Sequence, residues 1–204
     1  FESESNQFKI FIMNFSIALL FYFIFLTFYS LGEDTNFTPP DDIMSDRQRE
    51  VLTDMLRSPY PTSGMWKYED FAMAAYWLNR ERSSADYAIK LIKRDLFQEV
   101  LEGESFHWHA YILERIYFLF SSQSKYFPGR MSQEAEESVL EMLWTWAEKY
   151  CSIQMTLPER VWWIWGSENH HIQAWVSFWG AAQIFNNHPD YKDRKYADGS
   201  TPAQ

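Results

Sequence analysis

The chain has 204 residues, with room for one domain or part of a larger one, and its 47% hydrophobic and 19% aromatic content excludes a disordered polymer. A formal net charge of −10, from 28 acidic against 18 basic residues, argues against a nucleic-acid binder, because phosphate contacts need a basic face. Cys151 is the single cysteine, which rules out an internal disulfide framework and a cysteine metal site and leaves a buried or half-buried thiol as its reading.

Ile10 to Leu31 is nearly continuous Phe, Ile, Leu and Tyr, about the length that spans a bilayer. Two readings fit residues 1–32. In the first, Met13 is the true start of a signal peptide whose apolar stretch runs from Ile17 to Tyr29, with small residues at Ser30 and Gly32 and Glu33 as the first mature residue. In the second, the segment is retained as a membrane anchor, and only then is a membrane a partner. Lys9 is the basic residue nearest the apolar stretch, which weakens the signal pattern. Both readings put the remainder outside the cytoplasm. Residues 33–45, polar and holding Pro39-Pro40, read as a linker ahead of a folded part over 46–204.

After the linker the pattern is helical throughout. Asp46 to Arg57 predicts a first helix, closed by Pro59 and Pro61, and Tyr68 to Asn79 a second, with Phe71, Ala75 and Leu78 at helical spacing. Ser83-Ser84-Ala85-Asp86 reads as a capping box opening a third helix through Ile89, Ile92, Leu96 and Val100. Phe106 to Phe120 is the fourth, apolar on more than one side and so expected to be buried among neighbours. Pro128-Gly129 precedes Ser132, the expected cap of a fifth helix with acidic residues in its first turn and a core stripe of Ala135, Val139, Met142, Leu143, Trp146 and Tyr150. The sixth runs from Ser167 to about Phe185. The tail Asp190 to Gln204 is polar and reads as a connection to more protein. No segment shows the alternation of a strand, so the fold class is all-α, built from antiparallel helical hairpins.

Chemistry concentrates in Trp162-Trp163-Ile164-Trp165-Gly166-Ser167-Glu168-Asn169-His170-His171, where three indoles stand beside four polar residues at a helix start. With Ser167 as N-cap, Glu168, Asn169 and His170 fall in the first turn, where backbone N–H groups are unpaired and the dipole is positive. An anion binds well there. The positive end also favours a neutral imidazole at His170 or His171, able to accept a proton near pH 7. Trp163 and Trp165, with Trp162, can line a wall for sugar rings. A structural reading stays open for each: Ser167 as a plain cap, Asn169 and His170 as hydrogen-bonded helix-start residues, and the tryptophans as core.

The stretch Trp163 to His170, followed by a long aromatic and alanine-rich helix, resembles the Asn-His helix start of secreted (α/α)-toroid polysaccharide lyases of the alginate lyase and heparinase II/III-like type, over about Leu157 to Phe185. The resemblance implies an incomplete (α/α) toroid, truncated at its ends, that acts on an acidic oligo- or polysaccharide by β-elimination. It implies that Asn169 neutralises the uronate carboxylate and that His170 takes part in proton transfer. This chain has Glu168 where many such lyases have a second Asn, and the catalytic tyrosine that later sequence supplies in such lyases is not assigned to a residue here.

On the fourth helix His107, Tyr111, Glu114 and Arg115 recur at helical spacing. Tyr111 is a candidate acid or base, and His107 and Arg115 are candidate substrate contacts together with Glu168 and His171; a buried structural network is the other reading. Metal binding is disfavoured. His107 with His109, and His170 with His171, point about 200° and 100° apart around a helix axis, so neither pair is a same-face chelate, although a site shared between helices with Glu168 stays open. No cofactor is expected. A toroid glycoside hydrolase would need two carboxylates, with Glu168, Glu69 or Asp70 as candidates. A non-catalytic exported scaffold or carbohydrate-binding domain is the remaining alternative.

Overall fold

The structure is a computed structural model, and it describes residues 46–57, 64–102, 106–151 and 168–204. All of them fall within one unit of the chain, Pro40–Gln204. The apolar segment at the amino terminus, the linker and residues 161–167 of the Trp-rich motif, including Trp163 and Trp165, lie outside the described residues. The helices are α1 (Asp46–Arg57), α2 (Met65–Leu78), α3 (Arg82–Leu91), a π-helical turn (Ile92–Leu96), α4 (Phe97–Glu102), α5 (Phe106–Phe120), α6 (Gln133–Tyr150) and α7 (Glu168–Asn187). The described residues contain no strand.

Ser132 caps α6 as expected, its side chain accepting a hydrogen bond from the Ala135 N–H at 3.3 Å. The core stripe of α6 is buried from Ala135 to Trp146, with Tyr150 packed at its edge. One acid of the first turn differs from expectation: Glu136 is buried and accepts from the Ser122 N–H (2.5 Å) and hydroxyl (3.0 Å), closing the α5–α6 loop.

The capping box at Ser83 is not formed. Asn79 (φ 53°) and Glu81 (φ 51°) are both left-handed, so the α2–α3 connection turns tightly and α3 already begins at Arg82. The Asp86 carboxylate instead accepts from the Tyr76 hydroxyl at 2.6 Å and the Ser132 N–H at 3.1 Å, tying the α2–α3 hairpin to the start of α6. Arg130 completes the tie by donating to the Tyr76 and Trp77 carbonyls at the end of α2.

The third predicted helix is continuous through its π turn. Ile92 and Phe97, five apart, are both buried, as is Leu101. In a straight α-helix five residues would rotate Phe97 about 140° away from Ile92; the wider turn brings both to the core.

Contacts along the helices fix their directions. Glu69 meets His109 near the starts of α2 and α5, and Trp77 meets Phe120 near their ends, so the two run the same way. His107 meets His170 and Glu114 faces Gly180, so α7 also runs with α5. Lys90 pairs with Glu134 and Lys93 with Glu141, making α3 and α6 parallel to each other. Phe106 against Trp146 makes α6 antiparallel to α5, and the pair of contacts Trp146 with Phe178 and Trp144 with Phe185 makes it antiparallel to α7. Helical hairpins thus form two layers, α2, α5 and α7 in one direction and α3 and α6 in the other. The core lies between them around Trp146, whose indole stacks on Phe178 at 4.2 Å and 7°.

The helix α5 is buried among α2, α6 and α7 as its sequence implies, with one wet edge at Phe118, which is 44% exposed. The tail after α7 packs onto the core: Tyr191 and Tyr196 are buried, and Tyr196 stacks on Trp144 at 5.2 Å, which an indole face so near the end of the core invites.

Candidate functional site

Because α2, α5 and α7 share a direction, their N-terminal ends lie at one end of the layer, and nearly every described candidate residue belongs to that end. Glu168 and Asn169 are exposed in the first turn of α7, while His170 and His171 are half-buried. The His170 ring stands edge-on to His107 (centroids 4.9 Å, 62°) and to Trp108 (5.4 Å, 78°). His171, one residue on, turns along its own helix: its Nε2 accepts from the Trp175 indole N–H at 3.0 Å, which puts its proton on Nδ1. Burial holds its pKa below the usual histidine value. Of the adjacent histidines, His170 is the one joined to α5.

His107 and His109 point to opposite sides of α5, as their spacing requires. His107 is fully buried toward α7, and its backbone carbonyl accepts from the buried Ser177 hydroxyl at 3.0 Å. His109 faces α2, where its Nδ1 lies 2.9 Å from Oε2 of Glu69. Burial, with the neighbouring charge of Asp70, pushes the Glu69 carboxyl well above the usual range. Burial also lowers His109 to about 4, with His107 adding to the effect. Both causes favour a neutral pair, in which the Glu69 carboxyl donates to Nδ1 and Nε2 carries the imidazole proton. Oε1 of Glu69 is buried with no hydrogen-bond partner among the described residues. Trp66, in the first turn of α2, lies over this pair with its ring 4.5 Å from that of His109.

The stripe expected on α5 divides. Glu114 is buried against α7, where its carboxyl occupies the space a side chain at Gly180 would take; a Cβ there would be 2.9 Å from Cδ of Glu114. Its Oε1 is buried without a partner among the described residues, and burial raises its pKa well above the carboxylate range. Tyr111 is half-buried and Arg115 exposed, with the guanidinium 5.4 Å from the Tyr111 ring centroid. These two belong to the wetter side of α5 and partner each other.

Sequence reasoning did not foresee the Glu69–His109 pair or the roles of Trp66 and Trp108, because Glu69 and His109 are 40 positions apart and no pattern links them. No group of three or more His, Cys, Asp or Glu side chains among the described residues is arranged to hold a metal ion, and no described helix is long and apolar enough to cross a membrane. No family model matches the chain, and no curated protein or solved structure matches it.

Proposed function

We propose that the chain is part of an (α/α)-toroid carbohydrate-active protein that cleaves a uronate-containing polysaccharide by β-elimination, exported to act outside the cytoplasm. The observation that carries the reading is the first turn of α7, which offers an exposed Asn169 beside His170, itself packed against His107 and Trp108. Alternating helix direction between two layers is also what a toroid wall requires. The exposed apolar stripe Ile172, Val176 and Trp179 on α7 is the face on which a further hairpin would pack.

In the proposed reaction the Asn169 side chain and the α7 N-terminus neutralise the uronate carboxylate, making the C5 proton acidic. His170 takes that proton, C4=C5 forms, and the C4–O bond breaks with its electron pair on the leaving oxygen. That oxygen takes a proton from an acid, the role we give to Tyr111. His107, held by its helix and buried, fixes the His170 ring. A glycoside hydrolase is less well supported, because Glu69, one of its candidate carboxylates, is buried against His109 on the α2 side of α5 while Glu168 opens α7 on the other.

An Asn169→Ala variant tests this. It is expected to bind oligouronate normally while losing the unsaturated product that absorbs in the ultraviolet; unchanged turnover refutes the role.

A further inference from the structure

Trp66 is 47% exposed although it opens a helix that packs the core, and its indole lies on His109, whose ring is held from behind by the buried Glu69. A desolvated Glu–His pair is a costly way to support a surface tryptophan if only packing is at stake, since an apolar pair of similar volume would serve the core better. What the pair supplies is a fixed imidazole plane, and through it a fixed indole. The uncovered face is an aromatic surface held in one orientation, the feature that lets a ring stack at little entropic cost. Asp70 is exposed four residues on, about 40° around the helix axis from Trp66 and so on the same face, whereas Lys67 is turned about 100° away.

We propose that Trp66, backed by His109 and flanked by Asp70, forms a second sugar subsite that takes an uncharged pyranose ring. Resting on the uronate reading of the α7 end, this makes the preferred substrate a chain in which uronate alternates with an uncharged sugar. The indole stacks on the apolar face of the ring, and the Asp70 carboxylate accepts from its hydroxyls. A second uronate at this position would bring its carboxylate beside that of Asp70, with repulsion between like charges. The two subsites lie on opposite flanks of α5, separated by the ~10 Å width of a helix with its side chains, so they hold different rings of one chain.

The test is calorimetric titration of the full chain with two oligosaccharides of equal length, an oligomannuronate and an alternating glucuronate/N-acetylglucosamine oligomer. The alternating oligomer is expected to bind more tightly. Trp66→Ala is expected to weaken it roughly tenfold while changing oligomannuronate binding little, and Trp66→Phe to recover part of the loss. Trp179→Ala, equally exposed but eleven residues along α7 from Glu168, is expected to leave both affinities unchanged. Asp70→Asn is expected to improve oligomannuronate binding about threefold. Equal loss for both ligands in Trp66→Ala, or none, overturns the subsite. If the wild type also makes unsaturated product, the uronate reading survives that result; if the wild type binds neither oligomer, both fall.

Discussion

Glu114 gives a pH dependence whose sign is opposite to that of an ordinary salt-bridged carboxylate. The group is 4% exposed, one of its oxygens has no partner among the described residues, and burial raises its pKa well above the carboxylate range. In the unfolded chain it titrates near about 4.3. The folded state therefore holds the proton more tightly. The stability Glu114 contributes is fully present below about pH 4.3 and is lost as pH rises toward its folded value, at up to about 1.4 kcal/mol per pH unit. The Glu69–His109 pair adds little slope between about pH 4.3 and 6.5. There the unfolded chain carries one proton on His109 and none on Glu69, while the folded pair carries one on Glu69, so the number bound is the same. Urea unfolding followed by circular dichroism at pH 5, 6 and 7 is expected to show Glu114→Gln gaining stability relative to the wild type as pH rises. A constant difference between the two proteins across that range would refute a neutral, buried Glu114.

The same contact makes Gly180 informative. Alanine in an exposed helix interior gains up to about 1 kcal/mol over glycine, whereas here its methyl would overlap the Glu114 carboxyl, so Gly180→Ala is expected to lower stability by about 1–3 kcal/mol and Tm accordingly. Adding Glu114→Ala is expected to reverse the sign of that step, measured by thermal unfolding. Trp146, 1% exposed and stacked on Phe178, joins the two layers; Trp146→Ala is expected to cost about 3–5 kcal/mol in urea unfolding.

Helix content was legible because the apolar residues recur at helical spacing and the breaks are marked chemically. Asp46–Arg57 and Phe106–Phe120 fall where the pattern puts them, and Ser132 caps where a serine before an acidic turn should. The α3 start was misread because Ser-Ser-Ala-Asp satisfies the capping pattern locally, while Asp86 is claimed by Tyr76 and Ser132, partners 10 and 46 residues away. Burial within the tail was not legible for a related reason: Tyr191 and Tyr196 are isolated in a polar stretch, and only the position of Trp144 makes them core. At the candidate site, spacing separated His107 from His109 but could not say what each would meet. Pairing with His170 and with Glu69 depends on parallel helices brought together from distant sequence.

The central claim is that His170, and not His171, carries the proton transfer at the start of α7, because His170 faces α5 while His171 is engaged by Trp175. Ultraviolet absorbance of unsaturated product released from an alternating uronate polysaccharide tests it most directly. Product is expected from the wild type and from His171→Gln, with a loss of at least a hundredfold in His170→Gln, the lower end of about 10²–10⁴ for a general base. No product from the wild type, or equal rates in the two variants, would contradict it.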